Sequence, residues 1–188
     1  MNSKNLKNDP KILIQMAKEG DSTAFGGLYE LYFTPVYRYF YFRTRSREEA
    51  EDLTQIVFLK VFQAVSSFKE KGKNPLAFFM TVARNVLIDH WRKKKDVVLE
   101  NDHDIFTKIP DTSKSVREKA EQSDFSREIS VTLENLTEDQ REIIALKFFS
   151  ELENKEISEI TGKTEEAIRQ MQVRALKALK ENLKDFIN

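Results

Sequence analysis

Residues 74–95 read NPLAFFMTVARNVLIDHWRKKK. Asn74 can cap a helix with its side-chain oxygen, and Pro75 suits the first helical position, where its missing N–H is not needed. Neither Gly nor a second Pro follows. At about 100° per residue, Leu76, Phe79, Met80, Ala83, Val86 and Leu87 fall on one stripe, which predicts a helix with one apolar face. Phe78, Asn85, Asp89 and Arg92 fall opposite, and the stretch ends in the basic run Arg92, Lys93, Lys94, Lys95. An Asn/Asp/Arg row beside an aromatic suits contact with bases, although a charged row by itself is more often a solvated face.

Composition narrows the choice. The chain has 188 residues, 40% apolar and 33% charged, which fits a charge-rich globular protein of one or two domains. No apolar run approaches the roughly 20 residues of a membrane span. The start, MNSKNLKNDPK, lacks an apolar signal segment, so a cytoplasmic protein is expected. Cysteine is absent, which excludes disulfides and thiolate metal sites. With only His90 and His103 besides, no catalytic constellation, metal or cofactor is expected.

A formal net charge of zero hides a strong asymmetry. Residues 69–95 carry eight basic and two acidic side chains, residues 96–124 four and eight, and residues 163–184 six and three. Two basic segments flank an acidic connector, the pattern of a polyanion binder with two points of contact.

The remaining chain also reads as helix, with no sustained alternation that would predict a strand. Asp9–Lys18 predicts a short helix capped by Asn8 or Asp9, with Ile12, Leu13 and Met16 inside and Gly20 as its stop. Residues 22–43 are dense in Phe and Tyr and predict a core helix that Pro35 kinks or splits, with Arg38, Arg43 and Arg45 outside. Ser46 and Glu49 predict a capping box opening a helix to Phe68. Ala50, Leu53, Val57, Val61, Ala64 and Phe68 form its inner stripe, while Glu48, Asp52, Gln55 and Leu59 form an outer face suited to a protein partner. Residues 69–74, KEKGKN, predict a short basic loop. A linker is expected from Asp96, and a second helical set from Ser115, first over Ser115–Glu134 and then over Glu138–Ser150, which Thr137 and Gln140 open with a capping box.

Residues 154–183 predict a helix-turn-helix: a short helix with Ile157 and Ile160, the turn Thr161-Gly162-Lys163-Thr164, and a long helix capped by Thr164. Its inner face is Ile168, Met171, Ala175, Leu176 and Leu179. In this arrangement the second helix enters the major groove with its N-terminal residues at base edges. Glu165, Glu166, Arg169, Gln170 and Arg174 point outward; Arg and Gln can read guanine and adenine bidentately, and Glu can accept from cytosine. Lys163, Arg174 and Lys177 suit phosphates.

Taken together, LYELYFTPVYRYF, EEAEDLTQIVFLKVF, PLAFFMTVARNVLIDHWRKKK and LTEDQREIIALKFF followed by EISEITGKTEEAIRQMQVRALKAL resemble, in this order, an extracytoplasmic-function (ECF) type sigma factor of the sigma-70 family. The sharpest pieces are Ala83, Arg84, Asn85, Asp89 and Arg92; Glu51–Gln55; and Glu156–Ile160 with Arg174–Leu176. The resemblance implies an all-α protein of two small helical domains: region two over 1–95, a linker over 96–114, and region four over 115–188.

It also implies a division of roles. Glu48, Asp52, Gln55 and Leu59 would bind core RNA polymerase at the clamp helices of its largest subunit. Lys69, Lys71, Lys73, Asn74, Phe78, Asn85, Asp89, Arg92, Lys93 and Lys94 would melt and hold the single-stranded minus-ten element. Lys163, Thr164, Glu165, Glu166, Arg169, Gln170, Arg174 and Lys177 would read the duplex minus-thirty-five element. Region four would also meet the polymerase flap, an anti-sigma factor is the usual inhibitor, and the free protein would be a monomer. Two departures stand out: Phe78 occupies a place usually held by Trp, and Glu166–Met171 replaces the usual G-T-V-K-S-R. The competing readings are a helical regulator binding duplex DNA alone through its C-terminal half, and a helical adaptor that binds no DNA.

Overall fold

The apolar stripe around Phe79 becomes the centre of a helical bundle in the computed structural model, which describes residues 9–68, 74–100 and 136–187. The basic loop at 69–73, the linker around His103 and the helix expected over Ser115–Glu134 lie outside the described residues. Every element among the described residues is helical: α1 (Pro10–Lys18), α2 (Ser22–Thr44), α3 (Arg47–Ala64) with a 3-10 turn at Val65–Ser67, α4 (Pro75–Glu100), α5 (Glu138–Ile144) continued by a π turn at Ala145–Phe149, α6 (Asn154–Thr161) and α7 (Glu165–Ile187).

Local chemistry sets the helix ends. Asp9 and Asp21 cap α1 and α2 through their carboxylates, and Gly20, at φ 95°, makes the turn between them. Ser46 caps α3 by accepting from the Glu49 N–H at 3.2 Å, and Asn74 caps α4 by accepting from the Leu76 N–H at 3.0 Å. Only half of the box expected at Ser46 forms, because the Glu49 carboxylate faces Lys94 at 3.2 Å and His90 at 3.5 Å instead. The box at Thr137 and Gln140 forms completely.

Helices α1 to α4 pack around Leu28, Val36, Phe40, Val57, Phe79, Met80 and Leu87, all essentially excluded from solvent. Burying such a side chain stabilises by about 1.5–3 kcal/mol. The C-terminal helices enclose Ile143, Leu146, Leu152, Ile157 and Ile168. The two sets then close on one another: the end of α2 meets the π turn, and α6 lies on α4.

Several expectations are corrected. Pro35 neither splits nor ends α2, which runs unbroken over 23 residues. The carbonyl that Pro35 leaves without a helical N–H belongs to Leu31, on the exposed side at 38% exposure, while Val36, Tyr39 and Phe40 anchor the far side in the core. In α1 the buried residues are Leu13, Ile14 and Ala17, and Met16 is exposed, a small rotation of the stripe. Leu176, expected inside α7, is 46% exposed. Helix α4 continues past Lys95 to Glu100, beyond the expected start of the linker, and the helix expected to reach Ser150 gives way to the π turn at Ala145.

Candidate polymerase and nucleic-acid interface

Three exposed faces carry the residues that the sequence singles out. The first is on α3, whose inner stripe is buried. This leaves Glu48, Asp52, Gln55 and Leu59 exposed along one side. Ile56 at 40% and Phe62 at 53% exposure join Leu59 at 59%, so this face is more apolar than its sequence pattern suggests. The Phe62 ring sits 5.0 Å from that of Phe25, edge-on, which fixes it at the surface. A run of exposed apolar side chains beside acids is the composition of a protein-binding face.

The second face is on α4. Asn85 and Arg92 are exposed, as is Ile88 between them. Asp89 lies in the same row and pairs with Arg92 at 3.1 Å, a bond that steers the guanidinium along the helix. Lys93 is exposed, whereas Lys94 reaches back to Glu49 on α3 at 3.2 Å, so its ammonium is shared with a carboxylate. Asn74 is exposed at the helix start, and Lys69, Lys71 and Lys73 fall outside the described residues. Phe78 departs from the expected row: it is half-buried, its ring 4.8 Å from Phe68, and so leans on the core.

The third face is the start of α7. Gly162, at φ 73°, ends α6 in the left-handed region, and Ser158 Oγ donates to the Lys163 carbonyl at 2.6 Å, which tightens the turn. Thr164 accepts from the Ala167 N–H at 3.2 Å, and Ile168 anchors the helix from inside. Gln172 donates to Asn154 at 2.9 Å, fixing α7 across α6. Glu165, Glu166, Arg169, Gln170, Arg174 and Lys177 are all exposed. Glu166, Arg169, Gln170, Val173 and Arg174 line a shallow open groove.

One carboxylate organises that groove. Glu166 accepts from Arg169 Nε and Nη2 at 3.2 and 3.0 Å and from Gln170 Nε2 at 3.3 Å. The bonds from Arg169 and Gln170 hold its pKa below the usual carboxylate range. Lys163, expected at phosphates, pairs with Asp139 on α5 at 2.9 Å in the free protein.

Sequence reasoning missed a fourth cluster. Arg43, expected outside, is 8% exposed. Its Nη2 lies 2.9 Å from Glu138 and its Nη1 3.8 Å from Glu142, while its guanidinium carbon stands 4.8 Å from the Trp91 ring centroid. Arg84 Nε bonds the same Glu142 at 3.0 Å. Tyr39, buried beside these charges, has its pKa raised by burial. The available signal was a lone Arg on the apolar side of an aromatic helix.

Comparison with known proteins gives this geometry its setting. Residues 28–97 match sigma-70 region 2 and residues 132–181 match sigma-70 region 4. The chain is 31% identical to the ECF RNA polymerase sigma factor BldN of Streptomyces coelicolor, over 92% of this chain and 65% of that protein. It is 29% identical to SigM of Bacillus subtilis, over 81% of this chain and 91% of that one. The sigma factor RpoE of Bartonella quintana, solved in complex with the anti-sigma factor NepR, superposes with a TM-score of 0.66 at 25% identity, covering 85% of this chain and 96% of RpoE. With both regions present in order and ECF sigma factors as relatives, the chain belongs to the sigma-70 family, as a sigma factor of the ECF class.

Proposed function

We propose that this sigma factor directs promoter-specific transcription initiation by dividing the work among its three exposed faces. The α3 face of Glu48, Asp52, Gln55 and Leu59, widened by Ile56 and Phe62, takes core RNA polymerase. The α4 row of Asn85, Asp89 and Arg92, with Asn74 and the lysines at either end, holds the single-stranded minus-ten element. The groove at the start of α7 reads the minus-thirty-five duplex. The observation that carries this reading is the coexistence of an acidic–apolar face with two separate basic-polar faces on one chain; a lone duplex-binding regulator has no use for the first two.

The chemistry is all non-covalent. Unstacking and extruding a base costs a few kcal/mol, and stacking on an aromatic ring returns about 1–3 kcal/mol per base. Asn85 can satisfy a base edge, Arg92 can satisfy a phosphate, and Phe78 is near enough to the melting face to meet a base if its ring leaves Phe68. A polymerase partner would make this a cytoplasmic protein. No described helix is long and apolar enough to cross a membrane. The complex of RpoE with NepR supports an anti-sigma factor as a further partner. Asp52→Arg should lower capture by core polymerase in a pull-down while leaving helicity intact; unaltered capture would remove the α3 face from the account.

A further inference from the structure

Building on the reading above that the start of α7 meets duplex DNA, we propose that Val173 reads the 5-methyl group of a thymine there. This apolar side chain is then a specificity-determining residue among the polar readers of the groove.

Val173 is out of keeping with its surroundings. It is 67% exposed, more than any other large apolar side chain among the described residues. The other residues lining the open groove are Glu166, Arg169, Gln170 and Arg174, all polar. Helix formation does not call for a valine at this place, because a branched Cβ makes a weaker helix former than the Arg and Gln beside it. Single exposed apolar side chains are common on protein surfaces; what sets this one apart is its position.

That position is the centre of the reading face. At about 100° per residue, Val173 projects within about 20° of Glu166, two turns earlier, with Arg169 to one side and Gln170 to the other. The buried Ile168 and Ala175 lie on the opposite side and seat the helix. Next to Val173, Gln172 donates to Asn154 on α6 at 2.9 Å, which fixes the rotation of α7 about its own axis. The side chain is also stiff. A helical valine holds one χ1 rotamer about 90% of the time, so its methyls are presented with little entropy left to lose.

Such a surface selects by what it cannot bond. In the major groove every base edge offers donors or acceptors, and thymine alone adds a methyl group. A polar edge covered by Val173 loses its water and gains no hydrogen bond, whereas a methyl is stabilised by the same contact. Val173 lies four residues beyond Arg169, about 6 Å along the axis, and base pairs repeat about every 3.4 Å. The thymine therefore belongs within about two pairs of the one that Arg169 contacts.

The full chain bound to core RNA polymerase is used to select an upstream motif from a random duplex pool. That motif is resynthesised with each thymine in turn replaced by deoxyuridine, which lacks only the 5-methyl group. One position should respond, its Kd rising about fourfold, the effect of one buried methyl. Cytosine placed at that position should bind better when 5-methylated. Val173→Ser should bind thymine and uracil there alike, and Val173→Ile should keep the preference. Arg169→Ala should weaken binding and leave the methyl preference in place. A motif in which no thymine methyl matters, or a methyl preference that survives Val173→Ser, overturns the role of Val173. If such a motif still responds to Arg169→Ala, the groove remains the reader and Val173 alone is removed; a selection that recovers no upstream motif removes both.

Discussion

Arg84 and Glu142 are 58 residues apart in the chain and 3.0 Å apart in space, and with the Arg43–Glu138 bond at 2.9 Å they join the two halves of the molecule. Arg84 belongs to the same short run as Asn85, yet it turns inward to region four while Asn85 turns out. The Glu142 side chain is 9% exposed, and Arg84 is the cation hydrogen-bonded to it. A double-mutant cycle of Arg84→Met and Glu142→Gln in urea unfolding should give a coupling of about 0.5–3 kcal/mol. Additive effects would mean that the halves do not meet there.

Gly162 supplies a cleaner test of the helix-turn-helix. Its φ is 73°, and an added Cβ would touch nothing within 4 Å. Gly162→Ala should therefore cost only the left-handed strain, about 1–2 kcal/mol. At about 2–4 °C per kcal/mol for a chain of this size, melting should fall by a few degrees, with binding at saturating DNA preserved. An unchanged melting temperature would contradict the geometry of that turn.

Glu166 keeps Arg169 and Gln170 in register along α7. If Arg169 reads a guanine, Arg169→Ala should cost about 1–3 kcal/mol and relax preference at one base pair. Arg174→Ala should weaken all sequences alike. Glu166→Ala should broaden base preference while affinity for bulk DNA rises, since a negative charge leaves the groove. The depressed pKa sets the pH window. The pairing is present at and above the usual carboxylate range and is lost as pH falls through the lower folded value, so preference should be flat around neutrality. Selection of binding sites from a random duplex pool reads each outcome.

Phe78 now has two claims on it. Packed on Phe68, it contributes to the bundle, and Phe78→Ala should cost roughly 1–3 kcal/mol for a half-buried ring. Beside the melting face, it should also lower open-complex formation, read by permanganate footprinting. Phe78→Trp separates the roles: it should keep stability within about 1 kcal/mol and raise melting, through a larger stacking surface. Loss of melting in proportion to stability alone, with no gain from Trp, would leave Phe78 a core residue only.

Local rules made much of this legible in the sequence. The caps at Asp9, Ser46, Asn74, Thr137 and Thr164, the stripe through Phe79 and Leu87, and the outer face of Asp52 and Leu59 follow from helical period and end chemistry, which act within a few residues. What escaped depends on partners far along the chain. Arg43 looks like a surface cation until Glu138 and Trp91 arrive, and Lys94 and Lys163 look free until Glu49 and Asp139 approach. Pro35 reads as a break until its neighbours are buried. Tertiary packing leaves no trace in a window of ten residues.

The account stands or falls on run-off transcription with core RNA polymerase across a promoter library. It predicts that the added chain produces transcripts from a subset sharing two separate motifs. Asn85→Ala should abolish those transcripts with polymerase capture intact. An unchanged transcript pattern, together with a tight gel shift of the isolated protein on duplex DNA, would contradict it.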